Sequence, residues 1–162
     1  MSAKTLLQPR LYFSYRQFFV YDFSVDTPGS IWTDAHSAQG FARRESAVSF
    51  GTLLEFGYAD VSYRRDPFQP YEAYERVIAV PFVVSTGRVV VDGPEEINIG
   101  RLFELPPGNY QIVAAQRVVG DEEELIDLFV EKVDEPLRNS KVIVADALLN
   151  PPVHLVETAE IA

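Results

Sequence analysis

The sequence predicts a mainly β protein, an antiparallel two-layer sandwich or a jelly-roll-like barrel, with one short helix near residues 33–40. Three observations carry this expectation. Leu11, Phe13, Tyr15, Phe19, Tyr21 and Phe23 share one parity, and similar alternation recurs further along the chain. A period of two sets these side chains on one face of a strand. Clusters of Pro, Gly, Asn and Asp separate the alternating stretches, and these residues preset or permit turn backbones. Helical start and stop signals sit together at Thr33–Gly40, the clearest interruption of the strand pattern.

In chain order, Arg10–Phe23 reads as one long strand or as two strands joined by a bend near Arg16-Gln17. Phe18 and Val20, on the other parity, predict that its second half is covered on both faces. Asp26-Thr27-Pro28-Gly29-Ser30 is a turn. Thr33 or Asp34 can N-cap the helix, Ala35, Ala38 and Ala42 recur at helical spacing, and Gly40 can end it in a left-handed conformation. Trp32, the only Trp, stands just before the cap, where its ring can pack the helix onto a sheet. Arg43-Arg44-Glu45 reads as a solvated connection and Val48 and Phe50 as the next strand. The apolar parity then switches from Leu54, Phe56 and Tyr58 to Ala59, Val61 and Tyr63. That switch predicts a β-bulge near Ala59-Asp60.

Arg64–Tyr71 contains Pro67 and Pro70 and reads as a loop. Val77–Val84 is a buried strand, and Pro81 belongs at an edge or a bulge because it has no N–H to donate. Ser85-Thr86-Gly87-Arg88 predicts a hairpin into Val89–Val91, and Asp92-Gly93-Pro94 is a further turn. Pro106-Pro107-Gly108-Asn109 predicts a second hairpin over Leu102–Val113. Glu124–Val133 fits helix or strand, and its Ile, Phe and Val favour a strand. Val142–Ala145 is a short final strand. The 162 residues suit a single domain, 1–162, with Met1–Pro9 and Val153–Ala162 as loose ends.

Composition excludes several function classes. A hydrophobic share of 47% argues for a folded chain. Without Cys there is no disulfide, thiol nucleophile or thiolate metal site. Met1–Pro9 is not a signal peptide, and the longest apolar run, Val77–Val84, is too short for a membrane span. A soluble cytoplasmic protein is therefore expected. Residues 1–91 hold nine acids and nine bases, whereas residues 92–162 hold fifteen acids and five bases. The net charge of −10 thus lies wholly in the second part, with its peak at Asp121–Glu135. Such a field repels nucleic acid, so no direct DNA or RNA contact is expected, and it attracts a basic protein partner.

Signals for catalysis are missing from the sequence. His36 and His154 are the only His, and Asp34 and His36 have no third ligand at metal spacing. Asp34 in a first helical turn is accounted for by the helix dipole. There is no nucleophile elbow, P-loop or dinucleotide fingerprint. Glu95-Glu96 and Asp121–Glu124 lack an EF-hand pattern. Neither a cofactor nor a metal is expected, and the chain is not expected to be an enzyme.

A family resemblance runs from about Leu11 to Pro152. Leu11-Tyr12-Phe13-Ser14-Tyr15-Arg16-Gln17-Phe18, Trp32-Thr33-Asp34 with Gly40 and Ala42, and Val48-Ser49-Phe50 resemble the competence protein J family. Val80-Pro81-Phe82, Leu105-Pro106-Pro107-Gly108-Asn109-Tyr110-Gln111 and Ala145-Asp146-Ala147-Leu148-Leu149-Asn150-Pro151-Pro152 are similar to it in order and spacing. The resemblance implies an inhibitor of the DNA-entry nuclease of competent bacteria, acting by protein–protein contact. The candidate partner-binding residues are Asp121, Glu122, Glu123 and Glu124, read as an exposed acidic run, together with Trp32 and Asp34. An alternative is a small-molecule or carbohydrate-binding β-sandwich with Tyr12, Tyr71 and Tyr74 as an aromatic platform. A third is a sandwich enzyme using a carboxylate pair.

Overall fold

The computed structural model describes residues 4–70, 73–97 and 101–162, with side chains from Pro9 onward. Its elements in chain order are β1 (Lys4–Phe13), β2 (Gln17–Asp22), α1 (Asp34–Gln39), β3 (Phe41–Arg44), β4 (Ala47–Gly51) and β5 (Gly57–Arg64). There follow β6 (Arg76–Val84), β7 (Arg88–Asp92), β8 (Leu102–Glu104), β9 (Gly108–Gly120), β10 (Glu123–Val133) and β11 (Lys141–Val144). One sheet has the order β1-β5-β10-β9-β6-β11 and the other β3-β4-β2-β7-β8. Neighbours are antiparallel except β5 and β10, which run parallel. The two sheets pack as a sandwich, and among the described residues neither closes into a barrel.

The core lies between the layers. Leu11 and Phe13 of β1, Phe18 and Val20 of β2, Ile78, Val80 and Phe82 of β6, and Ile126 and Leu128 of β10 are all buried in one cluster. Each such side chain contributes about 1.5–3 kcal/mol through removal of apolar surface from water. Phe19, Tyr21 and Val90 form a smaller cluster, so β2 is covered on both faces, as the sequence predicts. The Arg10–Phe23 stretch is two strands in opposite sheets. Tyr15 and Arg16 both take positive φ, 54° and 57°, at the reversal between them.

The predicted hairpins across Ser85–Arg88 and Pro106–Asn109 are instead crossings. β6 and β9 lie in the six-stranded sheet, while β7 and β8 lie in the five-stranded one. The two turns meet, with the Leu105 N–H donating to Gly87 O at 3.0 Å. Turn residues reverse a chain, but they do not choose its hydrogen-bonding partner. Other expectations also shift. Arg43-Arg44 belongs to β3, paired with β4. Phe56 and Tyr58 face outward, 49% and 44% exposed, so no parity switch occurs in β5. The irregularity lies on its partner β1, between Thr5 and Arg10. Pro81 sits where β11, which pairs only with Val77–Ala79, has ended.

The helix matches its sequence signals at both ends. Thr33 is the N-cap and Gly40 the left-handed C-cap at φ 86°. Its buried side chains, however, are His36 and Gln39 rather than Ala35 and Ala38, and Ala42 is buried beyond the helix in β3. They hold the C-terminal segment. Gln39 Nε2 donates to Val156 O at 2.9 Å, and the Val156 N–H returns a bond to Gln39 Oε1 at 2.8 Å. The Ile31 N–H donates to Glu160 O at 2.8 Å. Val153–Ala162 is therefore not a loose end, because its backbone groups are paired with the helix region. At the other terminus, residues 4–9 belong to β1.

Asp22, fully buried, ties the first crossing to β2. Its carboxylate accepts from the Ser24 N–H and hydroxyl, the Ser85 N–H, and the Thr86 N–H and hydroxyl. Burial pushes this carboxyl up, but the donors outweigh it and hold it below the ordinary value. Asp22→Ala is expected to lower unfolding free energy by about 2–3 kcal/mol, measured by urea denaturation. Because the folded carboxyl titrates below its unfolded value, the stabilisation is present above the ordinary carboxylate range and lost as pH falls through the folded value. The gap between wild type and Asp22→Ala should therefore narrow on acidification.

Candidate partner-binding surface

The reversal between β1 and β2 places Tyr15 at the surface, 77% exposed. It is tied to the loop that precedes β5. The Arg16 N–H donates to Glu55 O at 2.9 Å, the Thr52 N–H to Arg16 O at 3.0 Å, and Arg16 Nη1 to Leu53 O at 3.2 Å. The same loop is held from beneath by buried polar groups. Glu124, 1% exposed, accepts from the Leu54 N–H at 2.7 Å. Arg76, 2% exposed, donates to Gly51 O at 3.0 Å and pairs with Asp146 at 2.7 and 3.1 Å. Gln116 Nε2 adds a bond to Gly51 O at 3.1 Å.

This loop presents Glu55 and Phe56, and Gly57 then begins β5. Gly57 has φ 152°, and a Cβ there would collide with the Glu122 carbonyl. A glycine therefore lets the β9–β10 turn lie against the strand, where the Tyr58 N–H donates to Glu122 O at 2.8 Å. Across the outer face the register sets Tyr12 opposite Tyr58 and Glu123 on its other side. The Tyr12 and Tyr58 rings are 5.4 Å apart, and the Arg10 guanidinium lies 4.9 Å from the Tyr58 ring. Arg10 bonds Glu123 at 2.9 Å and Asp60 at 3.4 Å. Exposed aromatics at Tyr15, Phe56 and Tyr58 are thus gathered with the exposed carboxylates of Glu55, Asp60, Asp121, Glu122 and Glu123, against the cations Arg10 and Arg16.

The sequence-predicted residues divide on this map. Asp121, Glu122 and Glu123 are exposed on this face. Glu124 is not part of an exposed run, because strand alternation turns it inward under the Leu54 loop. Trp32 is half-buried, and its ring meets His36 of the helix edge-on at 6.4 Å. It lines a groove with Tyr15, Arg16 and Gln17. Asp34 is exposed in the first helical turn. His36 Nδ1 accepts the Thr33 N–H at 2.9 Å, so Nε2 carries the proton and donates to Thr158 O at 2.9 Å. Both ring nitrogens are engaged, which leaves no lone pair for a metal.

The aromatic platform of the alternative reading is not assembled. Tyr74 is 8% exposed and donates its hydroxyl to Asp127, and Tyr71 lies outside the described residues. Sequence reasoning missed Tyr15, Phe56 and Tyr58 as surface residues. Their alternation looks like that of a buried strand, and the signal against it is Gly57 directly after Phe56.

Residues 10–138 match the model of the competence protein J (ComJ) family. The chain belongs to that family. It is similar to a DNA-entry nuclease inhibitor of Bacillus subtilis (strain 168), 32% identical over 100 residues that span 61% of this chain and 73% of that protein. Its fold is similar to the crystal structure of ComJ, inhibitor of the DNA degrading activity of NucA, from Bacillus subtilis. That comparison has a TM-score of 0.68 at 23% identity, covering 82% of this chain and 96% of the other. A second fold relative, Crocagin biosynthetic gene J, has a TM-score of 0.51 at 16% identity, covering 80% and 98%. The acidic and aromatic face lies wholly within the region matched to the competence protein J family, while residues 139–162 lie beyond it.

Burial pushes the Glu124 carboxyl up, only partly offset by the bond from the Leu54 N–H. A raised folded value means that its contribution is greatest when protonated and is lost as pH rises through that value. Glu124→Gln keeps an acceptor for Leu54 without a charge to desolvate. Wild-type stability should therefore gain on the variant as pH falls from neutrality towards the ordinary carboxylate range, read as the difference in urea midpoints.

Proposed function

We propose that this chain is a protein inhibitor of a DNA-entry-type nuclease in bacterial competence, and that it acts by protein–protein contact and not by catalysis. Membership of the competence protein J family supports the role. The observation that carries the contact surface is the grouping of exposed Tyr15, Phe56 and Tyr58 with five exposed carboxylates. A nuclease must present cationic groups to a phosphate backbone. An acidic face complements such a surface, and exposed aromatics supply the desolvated anchors that dominate interface energy. The expected partner surface is basic, and the inhibitor occupies it in place of DNA.

The test is inhibition of DNA degradation by the purified chain against the DNA-entry-type nuclease encoded in the same genome, with association and dissociation followed separately. Each exposed charge pair is worth about 0–1 kcal/mol, so no single acidic change should abolish binding. Replacing Asp121, Glu122 and Glu123 together with Asn or Gln should slow association about tenfold at low salt and flatten its salt dependence. Phe56→Ala should act on dissociation instead, weakening the complex by about tenfold or more. Unchanged rates in both variants would move the contact surface elsewhere on the molecule.

A further inference from the structure

The Arg10 guanidinium makes three contacts at once on the acidic face. It lies 4.9 Å from the Tyr58 ring, 2.9 Å from Glu123 and 3.4 Å from Asp60. The sheet register explains the arrangement. β5 lies between β1 and β10, with Asp60 opposite Arg10 and Tyr58 opposite Glu123. The Arg10 side chain therefore crosses β5 diagonally, over the Tyr58 ring, to reach Glu123. It is the first residue of β1 back in register after the irregularity that follows Thr5, and such irregularities re-aim a side chain. A ring face with carboxylates on two adjacent strands suits a planar guanidinium, which stacks and donates in a fork as an ammonium does not. The three charged side chains are open to solvent, 48% exposed at Arg10, 61% at Asp60 and 49% at Glu123. Exposed pairs of this kind are weak. Among the described residues Arg10 is the only cation ion-paired on this face, and Glu55, Asp121 and Glu122 have no such partner.

We propose that Arg10 is an internal competitor of the nuclease: on docking, one nuclease arginine takes its place over Tyr58, between Glu123 and Asp60, and Arg10 turns out to solvent. This rests on the inhibitor reading above. A basic surface that meets this face brings its cations against Arg10, and like charges in contact oppose docking. Arg10 is the group free to yield, because its stem is long and half-exposed, while Asp60, Tyr58 and Glu123 are fixed in neighbouring strands. The replacement is an arginine because the present occupant is one: a lysine supplies the charge but neither stacks on the ring nor reaches both carboxylates with one planar group. In the free protein Arg10 keeps the two carboxylates and the ring in the arrangement that receives a guanidinium. It also lowers affinity for any basic surface that lacks an arginine at this place.

The test uses the full chain and the same nuclease, with association and dissociation followed separately. Arg10→Ala empties the place over Tyr58. Its urea midpoint should equal that of wild type, since exposed pairs add little to stability. Its complex with the nuclease should dissociate about 3- to 10-fold more slowly, because the nuclease arginine no longer has a rival. Loss of one positive charge also speeds association at long range, so a gain confined to association overturns the proposal. Adding Glu123→Gln to Arg10→Ala should cancel the slower dissociation, and a gain that survives this second change overturns it as well. In 15N-labelled wild type the Arg10 Nε–H resonance, assigned by its absence from Arg10→Ala, should move on adding the nuclease to the position of a solvated arginine. A resonance that stays in place shows Arg10 retained on Glu123 and overturns the exchange. If wild type forms no complex, the inhibitor reading fails and this inference fails with it. If wild type forms the complex but Arg10→Ala dissociates as fast or faster, Arg10 is a bystander or a direct contact, and the inhibitor reading stands without the exchange.

Discussion

The rest of the molecule depends on the reversal at Ser14–Gln17. Two consecutive residues with side chains, Tyr15 and Arg16, stand in the left-handed region, where each costs about 1–2 kcal/mol. The conformation persists because other bonds hold it: Gln17 N–H to Ser14 O at 3.3 Å, and the three bonds between Arg16 and the Thr52–Glu55 loop. Its effect is topological. β1 leaves the turn in one sheet and β2 enters the other, so the chain begins to wrap the core within its first strands. Leu11 and Phe13 then face Phe18 and Val20 within the inter-sheet cluster.

The same turn links the fold to the surface. Below the loop that it grips lies a polar knot of buried Glu124, Gln116 and Arg76 with the half-buried Asp146. Burial pushes the Asp146 carboxyl up, and the Arg76 guanidinium overrides this and holds it below its ordinary value. These groups pair backbone atoms that would otherwise be buried unmet, at about 1–3 kcal/mol each. The stability so gained keeps a non-strand segment, Thr52–Phe56, in one conformation. A rigid loop pays less entropy on association, so its exposed aromatic can act as an anchor.

Charge and shape play separate parts on the outer face. The carboxylates of Asp121, Glu122 and Glu123 lie on or beside one short turn between β9 and β10, and their summed field reaches about 8–10 Å at physiological salt. The aromatic contacts act only once surfaces touch. Arg10 is placed to organise both, since its guanidinium bonds Glu123 and Asp60 while it lies over the Tyr58 ring.

The sequence by itself determined the β class, the Asp34–Gln39 helix with its Thr33 and Gly40 ends, and the confinement of the net negative charge to residues 92–162. These are local properties, set by side-chain period, capping chemistry and composition. Only the tertiary structure decided which strands pair. Ser85–Arg88 and Pro106–Asn109 read as hairpins because a turn into the same sheet and a turn into the opposite sheet use the same residues. Their partners are chosen by which apolar faces must meet across the core. Likewise Glu124 looks like one acid in an exposed run, and Phe56 and Tyr58 look like core. Which way each points depends on the register of β10 against β5 and on the close approach at Gly57, and neither is written in local alternation. The tail and the helix are joined by His36 and Gln39 across more than a hundred residues, a separation over which sequence pattern carries no information about contact.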